Sequence, residues 1–141
     1  MSGPARWLLL LSLAFLGRVL GQALVAFAHV RWLPPMEAWM SGLLAYPLLL
    51  PAQLLVLAIL AKLCGDHVRG AGWAIDPPRV FGAWAKGIGT VYAAAMLMRY
   101  GLRMALHPEA RWFGGCIPIA FHFVLAGVFF VTGSAHRNRG A

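Results

Sequence analysis

The sequence predicts an all-α membrane protein, a four-transmembrane-helix bundle, and three observations carry that expectation. The 141-residue chain is 61% hydrophobic and only 11% charged, against about 25% charged in an ordinary soluble domain. The apolar residues gather into four long runs, and a bilayer core of ~30 Å takes about 20 apolar residues as helix. The acids Glu37, Asp66, Asp76 and Glu109 all fall between the runs. Residues 1–141 read as one integral membrane domain, with spans near 7–30, 38–61, 84–105 and 112–135.

Span one runs from Trp7 to Val30 and is broken only by Arg18. It carries Gly17-x-x-x-Gly21, a spacing that lets another helix approach closely. Ala26-Phe27-Ala28 has the small-x-small form of a signal cleavage site, but the apolar run before it is long and holds an arginine, which argues against cleavage. Pro34-Pro35 stops this helix, and Trp32 and Trp39 suit the headgroup level.

Span two, Ala38 to Ala61, has no charge. Pro47 and Pro51 lack an N–H, so the carbonyls of Leu43 and Pro47 lose their usual helical donor and a kink is expected. The connection from Lys62 to Arg79 is glycine-rich and reads as a polar loop with local ion pairs. Span three has Lys86 near its start, where it can snorkel, and Arg99 and Arg103 near its end. Span four, from Trp112 to Ala135, has one ionisable group, His122, with Gly114-Gly115 and Pro118 loosening its first turns.

The formal net charge is +8. The basic residues sit mainly at span ends, not in a cluster interleaved with exposed aromatics, so nucleic acid is rejected as a partner. Membrane lipids and their phosphates are the natural partners. Arg6, Lys62, Arg69, Arg79, Lys86, Arg137 and Arg139 fall on one side, and the smaller group Arg31, Arg99, Arg103 and Arg111 on the other. The positive-inside rule therefore places both termini in the cytoplasm of a bacterial-type inner membrane. Cys64 and Cys116 fall at opposite faces, too far apart to pair, and no metal-ligand spacing is present.

The polar residues recur at helical offsets. Arg18, Gln22, Val25 and His29 form one stripe, and Tyr92, Met96, Arg99 and Arg103 another. Gln53 and Tyr46 share a face of span two, and His122 stacks over Pro118 and Gly115. Arg18, Gln53, Tyr92 and His122 lie near the middle of their spans, and the stripes run outward from there. This pattern predicts a polar, cationic pocket that opens outward and is sealed below by apolar packing. Arg18, Gln22, Gln53, Tyr92 and His122 are its candidate ligand-binding residues. His29, Tyr46, Arg99 and Arg103 stand at its mouth or bind lipid phosphate.

Arg18 sets the chemistry. A charge at the bilayer centre costs about 2.5–3.5 kcal/mol on insertion scales, and no span holds a compensating carboxylate. Five guanidinium donors among neutral acceptors leave a positive field suited to an amphiphilic anionic or carbonyl-bearing ligand, such as a lipid headgroup or a quinone. The bland alternative is that Arg18 caps proline-freed carbonyls and glues spans one and two together.

Other chemistries fit less well. His122 and His136 resemble the histidine spacing on one helix of the two-haem cytochrome b bundles, but haem lacks a second histidine at the depth of His122. A transporter needs a polar path through both halves. Catalysis by His122 and Arg18 has no accompanying carboxylate, nucleophile or metal cluster, and the sequence leaves enzymatic activity open. The main rival is a non-catalytic subunit packing through Gly17, Gly21, Gly87, Gly89 and Gly127 into a larger membrane complex or a homo-oligomer.

Overall fold

The computed structural model describes residues 3–40, 44–75, 78–110 and 116–137. The chain forms α1 (Gly3–Ala28), a short α2 (Met36–Trp39), α3 (Tyr46–Arg69), α4 (Arg79–Leu106), a single 3-10 turn (Pro108–Ala110) and α5 (Cys116–Arg137). No strand occurs among the described residues. α1, α3, α4 and α5 are each long and apolar enough to cross a membrane, and the protein is an all-α four-helix bundle of membrane type. In hydrocarbon the backbone must satisfy its own polar groups, and a continuous helix does so within one segment.

α1 is flanked by α3 on one side and α5 on the other, and α4 packs on the far side of α5. α3 and α4 do not touch among the described residues. Ser12 meets Cys64 and Gln22 meets Gln53, so α1 and α3 run antiparallel. Leu11 faces Gly127 while Arg18 faces Phe121, and Tyr92 meets His122 while Gly133 faces Lys86, so α5 is antiparallel to both α1 and α4. The topology is up-down-up-down. The starts of α1 and α4 and the ends of α3 and α5 lie on one side, called here the Gly3 side; the other is the Ala28 side.

The core lies where α1 meets its two neighbours. Leu8, Phe15 and Val19 of α1 pack with Leu60 and Leu63 of α3, Val128 of α5 and Ala74 of the α3–α4 connection. Leu48, Leu54, Leu55 and Ile59 of α3 and Ile88, Val91, Leu97, Met98 and Leu102 of α4 are exposed, as lipid-facing residues should be. Hydrocarbon gives apolar helices no solvent-driven reason to associate, so close packing must hold them. It is closest between α4 and α5. A Cβ at Gly133 would lie 2.8 Å from the Gly82 carbonyl, and one at Gly89 would lie 3.0 Å from the Phe129 Cβ.

α3 starts later than the sequence suggested and extends further. Its first turn contains Pro47, which suits the start of a helix because its missing N–H has no intrahelical partner there anyway. Pro47 therefore costs no helical hydrogen bond, and Leu43 lies outside the described residues. Pro51 alone stands inside the helix. At the other end, Lys62, Asp66, His67 and Arg69 are helical rather than loop, and Gly70, at φ 67°, ends α3 in the left-handed conformation that favours glycine. The Asp66 carboxylate accepts from Lys62 at 3.1 Å and from the Ala74 N–H at 3.2 Å. Gly72, at φ 125°, leaves room for that carboxylate where a Cβ could not stand. The expected local ion pairing is thus present as Lys62–Asp66. Asp76, and the expected start of span four at Trp112 with Gly114-Gly115, lie outside the described residues.

Candidate functional site

Arg18 and Gln22 are one turn apart on α1 and face α3 at the level of Gln53. All three are buried, at 8%, 0% and 3% exposure. The Gln53 Nε2 amide donates to Gln22 Oε1 at 2.8 Å, and Arg18 Nη1 approaches the same oxygen at 3.5 Å. These contacts fix the amide orientations. Turning one glutamine over sets like atoms against each other, and turning both aims the Gln22 NH2 at the guanidinium. One oxygen serves two donors, and the remaining groups go unmatched. Arg18 Nε, Gln22 Nε2 and Gln53 Oε1 are all buried without a hydrogen-bond partner.

The remaining Arg18 contacts come from residues the sequence did not single out for this role. Arg18 Nη2 donates to the Trp39 backbone carbonyl at 3.2 Å, and the guanidinium carbon lies 5.5 Å from the centre of the Phe121 ring, within cation–π range. Trp39 was expected at the headgroup level; it is buried instead. Its indole lies on Gly21, where a Cβ would come within 2.8 Å of the ring, and its Nε1 donates to the Pro34 carbonyl at 2.9 Å. The connection after α1 thereby folds back over Arg18. No sequence signal marks a backbone carbonyl for this task. Phe121 was not singled out either; it lies one and two turns before Leu125 and Val128, which pack against the core that α1 shares.

The Lys62–Asp66 ion pair and the His107–Glu109 contact both lie near helix ends. Among the described residues Arg18 has only neutral acceptors, a carbonyl and an amide.

A second polar pair joins α4 to α5. The Tyr92 hydroxyl and His122 Nδ1 are hydrogen-bonded, and the two rings meet edge-on with centres 5.5 Å apart. The imidazole tautomer decides which group donates. α5 presents Phe121 to Arg18 and the adjacent His122 to Tyr92. The five candidate residues thus form two clusters, Arg18–Gln22–Gln53 and Tyr92–His122, with the α5 residue Phe121 against Arg18 and His122 against Tyr92, where the sequence suggested a single outward-opening polar pocket.

The four proposed mouth residues are dispersed around the Ala28 side. His29 is exposed just beyond the end of α1, at φ 49°. The Tyr46 ring lies 6.0 Å from that of Phe27, and its hydroxyl is buried without a partner. Arg99 and Arg103 are half-buried on α4. Arg103 Nε has no partner, while its carbonyl accepts the His107 N–H at the helix end.

The Gly17-x-x-x-Gly21 pair divides in role. Gly21 receives Trp39, while a Cβ at Gly17 would meet nothing within 4 Å. Gly89 and Gly127 are used against α5 and α1 within the chain, and Gly87 is open. Cys64 and Cys116 lie at opposite sides of the bundle, with Cys64 Sγ 3.3 Å from Ser12 Oγ.

The fold and its buried polar residues define a small multi-pass membrane-type helical protein. Comparison with protein-family profiles, with curated proteins and with solved structures gave no match.

Proposed function

We propose that this protein binds an amphiphilic molecule with an anionic or carbonyl-bearing head, a lipid headgroup or a quinone, within the membrane. Arg18, Gln22 and Gln53 supply the cationic, amide-lined part of the site, and Tyr92 and His122 supply a hydrogen-bonding or proton-exchanging pair beside it. Arg99 and Arg103 draw the head inward from the Ala28 side. The distribution of basic residues supports a bacterial-type inner membrane with both termini cytoplasmic, so that the ligand comes from the outer leaflet.

One observation carries this reading. Two donors, Arg18 Nε and Gln22 Nε2, and one acceptor, Gln53 Oε1, are buried without partners around an uncompensated charge. Each such group costs about 1–3 kcal/mol when left unsatisfied, so the cluster is stabilised by whatever completes it.

The test is to purify the wild type and Arg18→Leu in a mild detergent and to identify co-purifying molecules by mass spectrometry. A lipid or quinone present near one per chain in the wild type should fall at least tenfold in the variant, with helix content unchanged by circular dichroism. Equal ligand content in both would contradict the proposal.

A further inference from the structure

Arg18, Gln22 and Gln53 are buried, so a molecule that reaches them needs part of the fold to move. α1 packs on the long helices α3 and α5, and parting them would open the core. The connection after α1 is a lighter element. Its helix α2 is four residues long and has no side-chain cap, far too short to be stable without support. α2 packs on α1 and α5 and not on α3 among the described residues. It thus closes the junction in which the Arg18 guanidinium faces the Phe121 ring.

Residues 34–40 hold together as a unit. The Trp39 Nε1 donates to the Pro34 carbonyl and the Ala38 N–H to the Pro35 carbonyl, both at 2.9 Å, and the tandem prolines limit the backbone further. Of these residues Trp39 alone is buried. Its indole lies on Gly21, seven residues inside the end of α1, or about 10 Å at 1.5 Å per residue. The chain turns back toward the bundle through His29, at φ 49°, a left-handed backbone uncommon in a residue with a side chain. The strap is tied to the helices by the hydrogen bond from Arg18 Nη2 to the Trp39 carbonyl, at 3.2 Å. That is longer than the roughly 2.7–2.9 Å of a guanidinium on an anionic oxygen. The carbonyl is a neutral acceptor at the donor that the head of the proposed ligand would seek, and an anionic or well-aimed oxygen would replace it at a gain.

We infer that residues 34–40 are a lid over the Arg18 site, that the Trp39 carbonyl holds the place taken by an oxygen of the ligand head, and that binding lifts the strap. This rests on the reading of function given above and adds how its site is opened. Strap and ligand compete for one donor, so anything that weakens the closed strap raises the fraction of chains ready to bind and tightens apparent affinity.

The experiment uses the full chain, labelled with fluorotryptophan, in phosphatidylcholine nanodiscs. The Trp39 fluorine signal is assigned with Trp39→Phe, and its exposure is read from relaxation by a water-soluble paramagnetic chelate. Two probes are compared, a benzoquinone bearing a short alkyl chain and phosphatidylglycerol added to the nanodisc, with bound probe per chain counted by native mass spectrometry. Gly21→Ala pushes the indole off α1, Trp39→Ala removes the indole and keeps the carbonyl, and Gly17→Ala, where a Cβ meets nothing within 4 Å, is the control. The inference predicts that the probe that binds raises Trp39 exposure at least threefold, and that G21A raises it with no probe present. It also predicts that G21A and W39A bind that probe at least threefold tighter than wild type, while G17A matches wild type. A probe that binds while Trp39 stays shielded, or that binds no tighter to G21A and W39A, would overturn the lid and leave the site standing. Binding of neither probe to wild type or to W39A would overturn the site and the lid together.

Discussion

The junction of α1 with α3 and that of α4 with α5 solve the same problem in opposite ways. Both must hold two helices together in hydrocarbon. α4 and α5 do so by proximity: Gly89 and Gly133 bring backbone and side chains of the two helices into direct contact, and an interhelical polar pair, Tyr92–His122, is hydrogen-bonded within itself. α1 and α3 are linked by buried amides and a guanidinium whose hydrogen-bonding groups are incompletely used. Close packing is worth many small dispersion gains, whereas a half-satisfied polar cluster is a liability unless something completes it. The difference separates a closely packed junction from one that leaves buried polar groups unmatched, and the proposed function rests on the second.

Breaking the scaffold should have the largest effect. Gly133→Leu would drive a side chain into the Gly82 carbonyl and the Lys86 backbone. Overpacking of this kind costs typically 1–3 kcal/mol and occasionally more, and here the obstacle is partly backbone. The expected outcome is loss of the α4–α5 contact, read as a large fall in resistance to denaturation followed by circular dichroism. Retention of wild-type stability would show that the helices can separate at no cost.

A smaller effect should follow from Gln22→Leu. It removes the oxygen that receives both Gln53 and Arg18 and leaves those donors buried. The penalty for unsatisfied groups is about 1–3 kcal/mol, while interhelical hydrogen bonds within membranes average about 0.6 kcal/mol. A stranded guanidinium places the expected loss in the upper of these ranges. Denaturation of Q22L and Q53L side by side sharpens the point, because Q53L leaves Arg18 its acceptor and should cost less.

The smallest effect compares two glycines of one motif. Gly21→Ala must displace the Trp39 ring, which lies 2.8 Å from the added carbon, whereas Gly17→Ala meets nothing within 4 Å. G21A should destabilise by about 1 kcal/mol, in the overpacking range, and G17A should be neutral or slightly stabilising. Equal losses at both would mean that Gly17 is also packed, against a neighbour outside this chain.

Much of the fold was legible because hydropathy measures what a bilayer requires, and four long apolar runs admit few other solutions. The helix ends were less so. Residues 38–61 carry no charge, so composition could not locate the start of α3; Pro47, read as an interior proline, stands in the first turn instead, and the helix runs past the expected end at Ala61 to Gly70. Depth matching put Arg18, Gln53, Tyr92 and His122 near one level, because partners in antiparallel helices share a level, and the Tyr92–His122 contact and the closeness of Gln53 to the Arg18–Gln22 turn agree with it. It could not show that α5 stands between α1 and α4, since lateral order leaves no periodic trace in a single helix. Nor could it find the Trp39 carbonyl, because every residue has one and only the folded connection selects it.

The central claim is that the Arg18–Gln22–Gln53 cluster is kept for a ligand rather than for holding α1 to α3. The most direct measurement is on the double variant Gln22→Leu/Gln53→Leu, with stability and co-purified ligand determined on the same sample. Removing both amides takes one acceptor from Arg18 but strands no glutamine, so the account predicts a smaller stability loss than in Q22L alone, where Gln53 is stranded as well, together with at least a tenfold loss of ligand. A bundle that falls apart, or one that keeps its full ligand content, would contradict it.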